Sequence, residues 1–146
     1  MKKIFLALTC FLILNSSQSN AQSKSIKKGI SPDFSNFKGV LLIDKSTYKL
    51  IAIKLENMFK KFYKGEIKLI LENELRKDTY SNTQTYPFVI SVASDGTFQG
   101  ASFFKMVMTD RSSGKDYETG SFPDNTLPPY SFIKQYAKAL EKIRNQ

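Results

Sequence analysis

The sequence contains no histidine, no tryptophan and a single cysteine, Cys10. Without histidine there is no Ser-His-Asp or Cys-His catalysis and no His-ligated metal centre. Without tryptophan a sugar-binding cleft loses a favoured lining residue. Its 146 residues fit one domain and are too few for a barrel of eight strands and eight helices. Long apolar runs are also scarce, and the one that stands out is at the N-terminus.

That run, Ile4–Leu14, is broken only by Thr9, follows Lys2 and Lys3, and leads through a polar stretch to Ser19-Asn20-Ala21. It is too short to span a bilayer, which takes about 20 apolar residues. The three-part layout is that of a bacterial secretory signal peptide over 1–21, with cleavage expected after Ala21 and small residues at the two positions signal peptidase reads. Cys10 lies inside the run, behind Thr9 and ahead of Phe11. A lipid-modified cysteine would instead follow a small residue at the end of the run. Cys10 therefore reads as a small hydrophobe, and a lipoprotein is not expected. Export places the protein in the periplasm or outside the cell. The chain left from Gln22 carries no cysteine, so packing rather than a disulfide must hold it together. No transmembrane segment is expected in it.

Residues 22–35 are polar, carry Lys24, Lys27 and Lys28 and include Gly29 and Pro32, the composition of a flexible basic leader. The remaining 36–146 are expected to form a single α+β domain. Val40–Ile43 reads as a short buried strand. Ser46 offers a helix N-cap, and at about 100° per residue Tyr48, Ile51, Ala52, Leu55, Met58, Phe59 and Phe62 share one face of the helix that follows. Gly65 marks its end as a left-handed cap. Glu66–Leu71 alternates charged and apolar residues as a strand would, although 66–75 also admits a helix. Arg76–Thr85 is a polar loop. Phe88–Ala93 and Thr97–Thr109, joined by Ser94-Asp95-Gly96, read as a hairpin. Arg111–Gly114 should turn the chain into a third strand near Asp116–Ser121. After the breaker-rich 123–129, an amphipathic helix runs from about Tyr130 to Arg144. The expected order is strand–helix–strand, an antiparallel three-strand meander and a C-terminal helix, with both helices packed on a mixed sheet.

Basic residues exceed acidic ones by 22 to 13 over the whole chain and by 20 to 13 after the signal. The surplus falls on the leader and the two helices, while the sheet region 65–129 is acidic. Lysines outnumber arginines 17 to 3 after the signal, whereas specific phosphate recognition favours arginine. The distribution suits solvated helix faces, with a weak contact to an anionic surface as the functional alternative; nucleic acid is not an expected partner.

Motifs for catalysis do not discriminate. Ser-x-x-Lys, a signature of serine acyl enzymes, occurs six times: at Ser25/Lys28, Ser35/Lys38, Ser46/Lys49, Ser102/Lys105, Ser112/Lys115 and Ser131/Lys134. The companion Lys-Thr-Gly and Ser-Asp-Asn elements are missing. Glu72 and Glu74 would share a face of a strand as paired carboxylates, and Asp110, Ser112, Asp116 and Glu118 space oxygen ligands around Gly114 without matching a calcium loop. No phosphate-binding glycine loop precedes a helix. No catalytic, cofactor-binding or metal-binding residues are assigned, and no cofactor is expected.

Two residues break the pattern of the first helix. Leu50 and Ile53 fall outside its apolar face, among lysines, either beneath the leader or against another protein. With Lys49, Lys60 and Lys64 they form the expected interaction surface. The expectation is a non-catalytic binding module whose partner is another envelope or secreted protein. The alternatives are a small hydrolase limited to Asp, Glu, Ser or Lys, and a weak binder of anionic surfaces.

Overall fold

A computed structural model describes residues 23–123 and 129–146. The expected signal peptide, 1–21, lies outside the described residues, as does most of the breaker-rich connection. Six strands form one sheet: β1 (Leu41–Asp44), β2 (Ile67–Ile70), β3 (Phe88–Phe98), β4 (Ala101–Asp110), β5 (Lys115–Glu118) and β6 (Phe122–Pro123). Their order is β2-β1-β3-β4-β5, with β6 also pairing with β4. Four helices accompany them: α1, the described part of which is 23–28, α2 (Lys49–Phe62), the single turn α3 (Asp78–Ser81) and α4 (Pro129–Arg144). The molecule is a single small α+β domain with helices packed on a mixed sheet.

The mixture arises at β3, which pairs parallel with β1 and antiparallel with β4. β1 is buried along its whole length and runs parallel to β2 and β3, which flank it. A strand paired on both edges and covered on both faces favours apolar side chains, as Leu41, Leu42 and Ile43 supply, while Asp44 at its end accepts from the Ser46 N–H. Leu41 and Ile43 face the main core beneath the helices, with Ile51, Leu55 and Phe59 of α2 and Ile133, Tyr136, Ala137 and Leu140 of α4. Leu42 points the other way, into a small second core with Ile70, Tyr80 and Val89. The loop Arg76–Thr85 is thus pinned to the sheet by the buried ring of Tyr80 on α3.

β3 and β4 form the expected hairpin, but its turn lies beyond Asp95-Gly96. Phe98 pairs with Ala101, leaving Gln99 and Gly100 as a two-residue loop. Both have positive φ, 49° and 78°, the geometry whose twist matches that of the strands. Asp95-Gly96 is instead a bulge: between the pairs Ser94–Phe104 and Thr97–Ser102, these two residues oppose the single residue Phe103. Either role suits an Asp-Gly pair, and pairing along nine register positions decides between them.

The N-terminal segment requires a correction. Residues 22–35 were expected to form a flexible leader, yet those described are packed. Ile26, Ile30 and Phe34 belong to the main core, and Phe34 is fully buried. The rings of Phe34 and Phe88 are 5.3 Å apart. The Tyr136 hydroxyl donates to the Gly29 carbonyl at 2.6 Å, and the Gly120 N–H donates to Ser25 Oγ at 2.7 Å. Ser31 Oγ accepts from the Asp33 N–H and starts a 3-10 turn at Pro32–Phe34. The three apolar residues are four apart, a core-facing stripe that lysines, Gly29 and Pro32 disguise.

Candidate functional site

α2 is built around Ile51, Leu55 and Phe59, which are buried at helical spacing. It starts three residues later than Ser46, whose hydroxyl accepts from the Glu72 N–H at 2.7 Å and so ties the loop after β1 to the end of β2. Tyr48 takes the N-cap position with no side-chain capping bond. It was expected on the buried face but is 67% exposed, with one ring edge against Phe104 at 5.6 Å between centroids. At the other end Tyr63 is the cap, in extended conformation, and its N–H donates to Phe59 O. Gly65 does not adopt the left-handed conformation expected of it; a Cβ there would lie 2.7 Å from the Tyr63 ring, so its role is close approach.

Opposite the buried stripe lie most of the residues expected to form an interaction surface. Lys49, Leu50, Ile53 and Lys60 fall within an arc of about 100° on the helix, and all are exposed. Leu50 is 68% and Ile53 46% exposed. The described part of the leader does not cover them, because it packs against α4 and the β5–β6 connection. Lys60 is paired: its Nζ lies 2.6 Å from Glu56 Oε1, and Lys45 lies 3.5 Å from the other oxygen. The Lys60 hydrogen bond, more than the Coulomb attraction, holds the Glu56 carboxyl below its ordinary range. Lys64 lies beyond the last helical residue. Its N–H donates to Glu141 Oε2 at 2.9 Å and its Nζ to the Lys61 carbonyl at 3.2 Å, so it secures α2 to α4 while its side chain borders the surface.

Large exposed hydrophobic residues are not scattered. Those among the described residues are Tyr48, Leu50, Ile53, Leu71 and Phe98. Leu71 follows the last residue of β2, Tyr48 and Leu50 adjoin the start of α2 after β1, and Phe98 lies at the far end of β3. Since β1, β2 and β3 are parallel, all lie toward the same end of the sheet, with Ile53 one turn further along α2 and Phe98 out at the hairpin tip, well beyond the last residue of β1. Of these, Leu71, Phe98 and Tyr48 lay outside the expected surface. The uncharged run Gly96–Phe104 around the hairpin tip was the available signal for Phe98.

The acidic candidates are brought into separate structural roles. Glu72 and Glu74 occupy a 3-10 turn, not a strand, so they do not share a sheet face. Glu74 accepts from the Leu71 N–H, which lowers its pKa, and pairs with Lys77 at 3.5 Å. Asp110 accepts from the Ser112 and Ser113 N–H groups and the Ser113 hydroxyl, closing the turn before β5. Asp116 accepts from Thr109, and Glu118 from Lys105. Among the described residues no group of three or more His, Cys, Asp or Glu side chains is placed to hold a metal ion. The hollow at Glu72, Asn73 and Arg76 is lined by exposed side chains.

No protein-family model matches the chain, and no curated protein matches it. Two solved structures of the PelC dodecamer from Paraburkholderia phytofirmans resemble it in shape. The first has a TM-score of 0.43 at 13% identity, over 73% of this chain and 91% of that one. The second has a TM-score of 0.42 at 12% identity, over 73% and 89%. Likeness of that degree assigns no activity to this chain. Among the described residues, no helix is long and apolar enough to cross a membrane.

Proposed function

We propose that the protein is a non-catalytic binding module, working in the periplasm or outside the cell after export, and that it docks another envelope or secreted protein on the outer face of α2. The observation that supports this reading is the exposure of Leu50 and Ile53 on a helix whose opposite face already fills the core. Both side chains keep apolar surface in water, and completing their burial in an interface would gain at most about 1.5–3 kcal/mol for each, less for the half-buried Ile53. Lys49 and Lys60 flank them as a charged rim, which favours a partner bearing carboxylates around an apolar centre. Affinity purification from the native envelope tests it. The wild-type protein should retain a partner that Leu50→Asp/Ile53→Asp loses at least tenfold, with unchanged melting temperature. Full retention by the double variant would contradict the proposal.

A second reading, attachment to an anionic surface, is favoured by the segregation of charge. The helical segments 23–28, 49–64 and 129–146 hold twelve Lys and Arg residues against two Glu. If this field recruits the protein, retention on heparin should vanish at moderate salt, because exposed charges are screened beyond about 10 Å at 0.1 M. Salt-insensitive retention would count against it.

A further inference from the structure

The packed leader creates a feature that a flexible one could not. Between α1 and α4 runs a groove of about 420 Å³, within the size range of small-molecule sites. Its floor is apolar: Ile26 is buried in the main core, with Ala139 and Ile143 packed against it. Its rim carries Lys27 and Lys142, with the stem of Lys138 between them, and no Asp or Glu side chain among the described residues lines it. Lys138 extends toward α2, where its Nζ lies 5.2 Å from the centre of the Phe62 ring. The adjacent acid, Glu141, is already engaged by Arg144, Asn145 and the Lys64 N–H.

We propose that this groove binds an amphiphilic anion, a molecule with an acyl-like chain and one carboxylate or phosphate head. The cleft offers complementarity of two kinds. Like charges on the rim repel one another, and an anion relieves that repulsion. The floor would remain wet beneath a small anion, and burial of its apolar surface favours a hydrocarbon chain. An uncharged chain leaves the lysines without a counter-charge. Only a molecule with both parts matches both surfaces. The site is distinct from the outer face of α2 and does not depend on the function proposed for that face.

Calorimetric titration of the exported protein with laurate, below its micellar concentration, tests the proposal. The expected result is saturable one-to-one binding, at least tenfold tighter than that of dodecanol or acetate. Lys27→Gln/Lys142→Gln should weaken it at least tenfold, and Ala139→Trp should abolish it by filling the floor. The lysine substitutions are on exposed side chains, so they keep the test decisive if Ala139→Trp fails to fold. Absence of laurate binding, equal binding of dodecanol or acetate, or indifference to the lysine substitutions would overturn it.

Discussion

Two tyrosines illustrate how a single hydroxyl changes sign with its surroundings. Tyr136 is fully buried, and its hydroxyl donates to the Gly29 carbonyl. Tyr63 is 3% exposed, and its hydroxyl has no hydrogen-bond partner. Burial pushes both pKa values up, that of Tyr63 to about 12. Desolvation of a polar group without a partner costs free energy, so Tyr63→Phe should leave stability unchanged or raise it by up to about 1 kcal/mol. Tyr136→Phe removes a bond and orphans a carbonyl, and should cost about 1–3 kcal/mol. Urea unfolding of the two variants checks both signs. Glu141 supplies a pH dependence. Partial burial pushes its carboxyl up, but hydrogen bonds from Arg144, the Lys64 N–H and Asn145 outweigh this and hold it below its ordinary value of 4.5. A depressed folded pKa gives stability that is present above that ordinary value and lost as pH falls through the folded value. Acidification from pH 6 to 3 should therefore destabilise the wild type more than Glu141→Gln, as melting temperatures would show.

At the scale of elements, the decisive event is the attachment of residues 23–34 to the core. Phe34→Ala should destabilise the fold by about 3–5 kcal/mol, measurable by denaturant unfolding, whereas a flexible leader would tolerate it without effect. This element also shows where sequence reading succeeds and fails. α2 and α4 were legible because each displays an apolar stripe over several turns, and β1 because four successive apolar residues suit a strand buried on both faces. The stripe Ile26, Ile30, Phe34 obeys the same spacing, but Gly29 and Pro32 break it into a helix and a 3-10 turn, so no single period runs through it. The hairpin turn was misplaced for a related reason. Asp95-Gly96 suits a turn or a bulge locally, and only the pairing of Phe98 with Ala101 across the strands distinguishes the two. Of the expected surface, Leu50 and Ile53 were legible as departures from the helical period, while Leu71 and Phe98 join the same end of the sheet only through the parallel pairing of β1 with β2 and β3.

For the whole molecule, polarity is the organising feature. Basic side chains concentrate on the helical layer, and exposed apolar ones on the end of the sheet where β1, β2 and β3 finish. Neither arrangement is required for a stable core, which β1, α2 and α4 complete among themselves with the N-terminal segment. The account therefore stands on whether the outer face of α2 is occupied in the envelope. Site-specific photo-crosslinking in the native cell measures this most directly, with the reactive group placed at position 50 or 53 and, as a control, at Thr79, an exposed residue of α3. The account predicts a discrete protein adduct from positions 50 and 53 and none from position 79. No adduct from positions 50 and 53, or the same adducts from all three, would contradict it.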